Sequence, residues 1–128
     1  MSLADKKCAP CEVKIPPLGE KQIKKNLLEL KLPWDVVSLS SPVRQLAEEV
    51  FRSRETEGRE LQIRHEFKFK DFKEAMIFVN KVATLAESEG HHPDIHIFYN
   101  KVTIELWTHF IGGLHENDFI LASKIELL

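Results

Sequence analysis

At 128 residues and 14.8 kDa, the chain has the size of one ordinary domain and can bury a core without disulfides or metals. Hydrophobic residues make up 43% and charged residues 30%. That balance excludes a disordered tract, and no apolar run approaches the roughly 18 residues of a membrane span. A net charge of -2, with six histidines counted neutral, speaks against a nucleic-acid partner; the densest basic run, Lys21 to Lys25, reads as the solvated face of a helix. No secretory signal pattern is present, which leaves the cytoplasm as the default location.

Residues 1–19 carry Pro10, Pro16 and Pro17 and no clear period, so they read as a flexible or extended lead-in to a single domain over residues 20–128. Within the lead-in, Cys8 and Cys11 form a CxxC. The prolines around it do not suit the strand and helix of a redox pair, and one CxxC is only half of a zinc site unless a dimer completes it. The pair reads as plain thiols. From Glu20 to Leu32, Ile23, Leu27, Leu28 and Leu30 recur at helical spacing, and Pro33 ends that helix.

Trp34 to Leu39 reads as a short strand. Ser40 to Glu57 has a proline in the first turn and Val43, Leu46, Ala47, Val50 and Phe51 at helical intervals, which predicts a short helix inserted between two strands. Leu61 to Phe69 alternates as a half-buried strand, with Leu61, Ile63, Phe67 and Phe69 on one parity. His65 shares that parity and reads as a histidine at the core edge with a hydrogen-bond partner.

Asp71 opens a long helix with Glu74 three positions on, the reciprocal capping pattern. Phe72, Ala75, Met76, Val79, Val82, Ala83 and Ala86 give it a broad apolar face. Gly90 and Pro93 stop it and hand the chain to His91 and His92. Pro93 to His109 then reads as a β-hairpin turning at Tyr99 and Asn100, with Asn100 suited to the positive φ of a tight turn. In that register Ile97 faces Val102, Ile95 faces Ile104 and Pro93 faces Leu106, so one face is wholly apolar. The other face pairs His96 with Thr103, Asp94 with Glu105 and His92 with Trp107. His109 points to the same side as Trp107.

Opposed residues lie about 5 Å apart and diagonal ones about 7–8 Å, so His91, His92 and His109 gather at one end of the hairpin. Imidazole exchanges protons near neutral pH at little cost, which suits acid–base chemistry on a flat, nitrogen-rich ligand. A His₃ set also suits a catalytic zinc, and surface or structural histidines would need neither role. Spacing alone leaves all three open.

The stretch Glu87-Ser88-Glu89-Gly90-His91-His92-Pro93, then Tyr99-Asn100-Lys101-Val102, Trp107-Thr108-His109 and Gly113-Leu114-His115-Glu116-Asn117-Asp118 closely resembles the signature of the pterin-4a-carbinolamine dehydratase family. Phe67 to Ala75 resembles it too, and the similarity runs from about Leu61 to Leu128, with a weaker echo in the first helix and Pro33-Trp34. The resemblance implies an α+β fold: a four-stranded antiparallel sheet with three helices packed on one face, here with the inserted short helix between strands 1 and 2. It implies dehydration of a 4a-hydroxy-tetrahydropterin to the quinonoid dihydropterin, a hydro-lyase reaction supporting tetrahydropterin recycling, with no metal or organic cofactor.

By position, the resemblance makes His91, His92 and His109 catalytic: one protonates the departing hydroxyl, one accepts the N5 proton, one holds the ring. It makes Glu87, Pro93, Trp107 and Thr108 substrate contacts and Asp118 a supporting residue. Glu87 is also readable as a solvated helix residue, Trp107 as simple packing, and Asp118 as a carboxylate favoured by the start of the last helix, Glu116 to Leu127. Three features depart from the family. His115 replaces a hydroxyl residue and is expected to weaken the helix cap, Gly90 replaces an acid found in some members, and the 40–57 insert replaces a tight turn.

As to partners, the resemblance implies a homodimer or homotetramer and, in some members, a protein partner such as a hydroxylase or a transcription factor. A non-catalytic dimerisation or coactivator-type binding module on the same fold is the second reading, and a zinc hydrolase using the same imidazoles is the third.

Overall fold

The computed structural model describes residues 2–9, 15–39 and 60–128. The helix expected over 40–57, and Cys11, lie outside the described residues. Four strands form one antiparallel sheet: β1 (Asp35–Ser38), β2 (Leu61–Lys68), β3 (Asp94–Phe98) and β4 (Lys101–Leu106), in the order β1-β2-β4-β3. Three α-helices accompany it among the described residues: α1 (Glu20–Glu29), α2 (Phe72–Glu89) and α3 (Glu116–Ile125). This is the α+β architecture expected from the sequence.

Alternation along the strands decides which face the helices cover. Val36, Leu61, Ile63, Val102, Ile104 and Leu106 are fully buried and form the floor of one core. Ile23 of α1, Ala75, Phe78 and Val82 of α2, and Phe119, Ile120, Leu121 and Ile125 of α3 close over it. Removing this much apolar surface from water is the main driving force of the fold. His65 sits at the edge of that core: its Nδ1 is 3.1 Å from the Pro33 carbonyl and its ring packs edge-on against Phe67. None of the helices among the described residues is long and apolar enough to cross a membrane.

Helix α1 ends at Glu29, three residues short of the expected Leu32. The reason is an acceptor outside the helix. The Glu126 carboxylate, just past α3, takes the Lys31 and Leu32 amides at 2.9 Å each and the Trp34 indole N–H at 2.8 Å. With those donors committed there, the backbone extends at Leu30 and turns directly into β1.

Helix α2 begins as expected, with Asp71 Oδ1 accepting the Glu74 amide at 2.9 Å. The reciprocal bond differs, because the Glu74 carboxylate faces the Lys70 amide at 3.4 Å. At the other end Gly90 is left-handed (φ 65°), and the Gly90 and His91 amides fold back onto the Glu87 and Ala86 carbonyls. The hairpin keeps the expected register, with Asp94 opposite Glu105 and Ile97 opposite Val102. Its turn corrects one expectation. The positive φ falls on Tyr99 (57°), not Asn100. Asn100 instead spends its side-chain amide on the Phe69 carbonyl at 3.0 Å, which fixes the turn against the end of β2.

The aperiodic N-terminal segment is anchored by specific polar bonds. Leu3 is buried, and the Asn117 side chain both accepts from and donates to the Ala9 backbone, at 2.9 and 2.8 Å. The Cys8 amide donates to Glu89 at 2.9 Å. Burial, reinforced by the Glu89 charge, pushes the Cys8 thiol up to about 12, so it is a poor nucleophile.

Because Glu126 alone holds three donors between α1 and β1, Glu126→Ala is expected to cost about 1.5–3 kcal/mol, the range for hydrogen bonds to a charged group. Urea unfolding of parent and variant measures it. A difference near zero would show that water replaces the carboxylate without loss.

Candidate active site

The left-handed turn at Gly90 delivers His91 and His92 to the open end of the hairpin. Trp107 and Thr108, directly after β4, lead into a short 3₁₀ turn, His109–Ile111, which a second left-handed glycine, Gly112, closes. The Thr108 amide bonds the Gly113 carbonyl at 2.8 Å, so this loop returns on itself as a fixed hook. Gly90, His91, His92, Trp107, Thr108, His109 and Phe110 together line one cleft of about 280 Å³.

The three imidazoles are held in three different ways. His91 is only 6% exposed, and its Nε2 lies 2.6 Å from Oδ1 of Asp118. Asp118 is fully buried; its Oδ2 also accepts the Thr108 hydroxyl at 3.0 Å and the His115 amide at 2.9 Å. A carboxylate can only accept, so it fixes the His91 proton on Nε2 and leaves Nδ1 as the second working nitrogen. His92 is exposed, with its Nε2 2.6 Å from Oε1 of Glu87, itself solvent-facing. His109 lies flat on Trp107, with ring centroids 3.9 Å apart and planes 21° from parallel.

Of the residues singled out from sequence, His91, His92, Trp107, Thr108 and His109 thus line one cleft. Glu87 meets it through His92, and Asp118 lies beneath it. Pro93, half-buried, connects His92 to β3 and is not among the lining residues. Thr108 contributes its backbone position, since its hydroxyl is committed to Asp118. His115 corrects the expectation of a weak cap. Its Nδ1 accepts the Asn117 amide at 3.0 Å, while Asp118 accepts the His115 amide, so an imidazole does the work of the hydroxyl. Among the described residues, no group of three His, Cys, Asp or Glu side chains is placed to hold a metal ion.

Two features escape sequence reading. Asp94 Oδ2 accepts the Trp107 indole N–H at 3.2 Å, which ties the cleft wall to β3. On the sheet face away from the core, Glu105 is 7% exposed and gathers Gln62 at 2.9 Å, Arg64 at 2.5 Å and His96. The signal for both was the non-core parity of the hairpin. It placed Asp94 opposite Glu105 without showing which partners each carboxylate chooses.

The family described as pterin 4 alpha carbinolamine dehydratase matches residues 16–128. A Rickettsia bellii protein, provisionally named a pterin-4-alpha-carbinolamine dehydratase, is 43% identical over 99% of this chain and 94% of its own length. Pterin-4-alpha-carbinolamine dehydratase 2, mitochondrial, of Arabidopsis thaliana is 40% identical over 99% of this chain and 60% of its own length. Among solved structures, a protein described as a transcriptional coactivator/pterin dehydratase from Brucella melitensis superposes with a TM-score of 0.63 at 30% identity. That match covers 87% of this chain and 96% of the other.

Acidification reports on the Glu105 cluster. Burial pushes this carboxyl up, but the bond and charge of Arg64, then His96, outweigh it and hold it below its ordinary 4.5. A lowered folded-state value means that the stabilisation is complete above about 4.5 and is lost as pH falls through the folded value. Arg64→Met is therefore expected to cost about 2 kcal/mol at neutral pH, with the gap from the parent narrowing below pH of about 4.5. Urea unfolding across that range measures it, and a gap independent of pH would contradict the pairing.

Proposed function

Since the chain belongs to the pterin 4 alpha carbinolamine dehydratase family, we propose that it eliminates water from a 4a-hydroxy-tetrahydropterin, with His91, His92 and His109 moving the protons. The C4a–O bond breaks as the hydroxyl takes up a proton and leaves as water. N5 gives up its proton, and its electron pair forms the new double bond of the quinonoid dihydropterin. Nothing is oxidised or reduced, so acid–base groups within reach of O4a and N5 are sufficient. Such a hydro-lyase returns the pterin to a form that can be reduced again, which supports tetrahydropterin recycling.

One observation carries this reading: three imidazoles from two distant segments line a single cleft, and each is held differently. His91 is suited to accept the N5 proton. The buried Asp118 at its Nε2 stabilises the imidazolium that forms and keeps the ring in place. His92 and His109 are left to protonate the departing hydroxyl and to hold the ring. Glu87 orients His92, Trp107 lies against His109, and Pro93 sets the course of the chain away from the cleft. The substrate provides the reacting atoms, and the chain provides their placement.

The Brucella neighbour's description as a coactivator supports a second reading, a dimerisation or coactivator-type module on the same fold. Ile97 and Phe98 of the outer strand β3 and Tyr99 of the adjoining turn, all exposed, are the kind of surface that a homodimer, homotetramer or protein partner would cover.

Stopped-flow dehydration of 4a-hydroxy-tetrahydropterin by the parent, His91→Ala and His109→Ala separates the readings. Each substitution is expected to remove about 10²–10⁴-fold of the acceleration, the usual contribution of a lost acid–base group. Folded variants with parental rates would overturn the catalytic assignment and leave the binding module.

A further inference from the structure

Resting on the dehydratase reading, we infer that Trp107 is a positioning residue for His109, locked in turn by Asp94, and that its part in the reaction is exerted through that imidazole. His91 and His92 each have a carboxylate on Nε2. Among the described residues, no hydrogen bond reaches the His109 ring; what orients it is the indole lying nearly parallel at 3.9 Å. The indole is itself fixed from the far side, where its N–H donates to Asp94 on β3. A three-part relay therefore runs from the edge strand through the indole to the imidazole.

This way of holding a histidine has a chemical consequence. A carboxylate orients an imidazole by occupying one of its two nitrogens. A stacked ring orients it through its face and leaves both nitrogens at the edge, where each can reach a ligand or water. His109 is the one imidazole of the three with both nitrogens uncommitted among the described residues. The stack also matters because His109 opens a 3₁₀ turn of only three residues, whose backbone alone does not fix the side-chain torsions. Without the indole the ring would sample several rotamers, only some of them within proton-transfer distance of O4a or N5.

The pterin-wall alternative makes a different prediction, because a wall contributes to binding and a positioning residue to the chemical step. Trp107→Ala is expected to lower kcat about 10–100-fold with KM within about 2-fold, as for a misplaced catalytic group. Trp107→Phe, which keeps a stacking face, is expected to recover most of that loss. Asp94→Ala should fall in between, with Asp94→Asn closer to the parent because it keeps an acceptor.

An independent readout needs no turnover. In the resting parent protein, the carbon-bound ring protons of His109 are expected at upfield NMR positions set by the indole ring current. Trp107→Ala should move them downfield and leave those of His91 in place. A rise in KM at unchanged kcat, or His109 signals indifferent to Trp107, would overturn the inference. Should His109→Ala retain full activity while its parent signals still respond to Trp107, the dehydratase assignment of His109 fails and the stack survives as structure. If Trp107→Ala does not fold, Asp94→Ala carries the same kinetic test.

Discussion

A single buried carboxylate organises the cleft. Asp118 has no exposed surface, and such a charge is tolerated in the interior only when its oxygens are fully engaged. Its three donors come from three different places: the imidazole following α2, the hydroxyl following β4, and the amide that opens α3. Satisfying one side chain therefore fixes the relative positions of two helix ends and the hook that carries His109. Withdrawing any donor would leave the others around an undercompensated charge, so the geometry is cooperative by construction.

The N-terminal segment reinforces the same region from behind. Asn117, next to Asp118, grips the backbone of Ala9, and Glu89, next to Gly90, accepts the Cys8 amide and pairs with Lys124. Burial pushes the Glu89 carboxyl up, but Lys124 and the Cys8 amide outweigh it and bring it below its usual range, so it serves as a charged anchor. Both anchors are immediate chain neighbours of residues that build the cleft. Packing at the terminus thus becomes rigidity at the site without touching it.

Much of this was legible in the sequence, for local reasons. The hairpin register followed from matching apolar pairs, because a one-residue slip would turn Val102, Ile104 and Leu106 into solvent. The end of α2 followed from Gly90, and with it the delivery of His91 and His92. What was not legible depended on long-range acceptors. Helix α1 stops early because Glu126, some 95 positions away, takes the Lys31 and Leu32 amides. The positive φ moved to Tyr99 because Asn100 is drawn to the Phe69 carbonyl. The cap on α3 works because an imidazole nitrogen can accept where a hydroxyl was expected. Asp94 as the anchor of Trp107 belongs to the same class: parity gives the face, but only three dimensions give the partner.

The three ways of holding a histidine also divide the cleft mechanically. His91 is immobilised in the interior by a hydrogen bond to a carboxylate shielded from water. His92 and Glu87 are both well exposed at the mouth, where a pair of this kind contributes little and is easily exchanged for ligand contacts. His109, exposed like His92, is oriented by a face-to-face stack that fixes its plane yet spends neither nitrogen. A flat substrate entering such a cleft meets an adaptable group first and a fixed one last. In the proposed dehydration, orientation is set by the deepest contact, and because that contact is pre-formed, little rearrangement remains to be made when the proton moves.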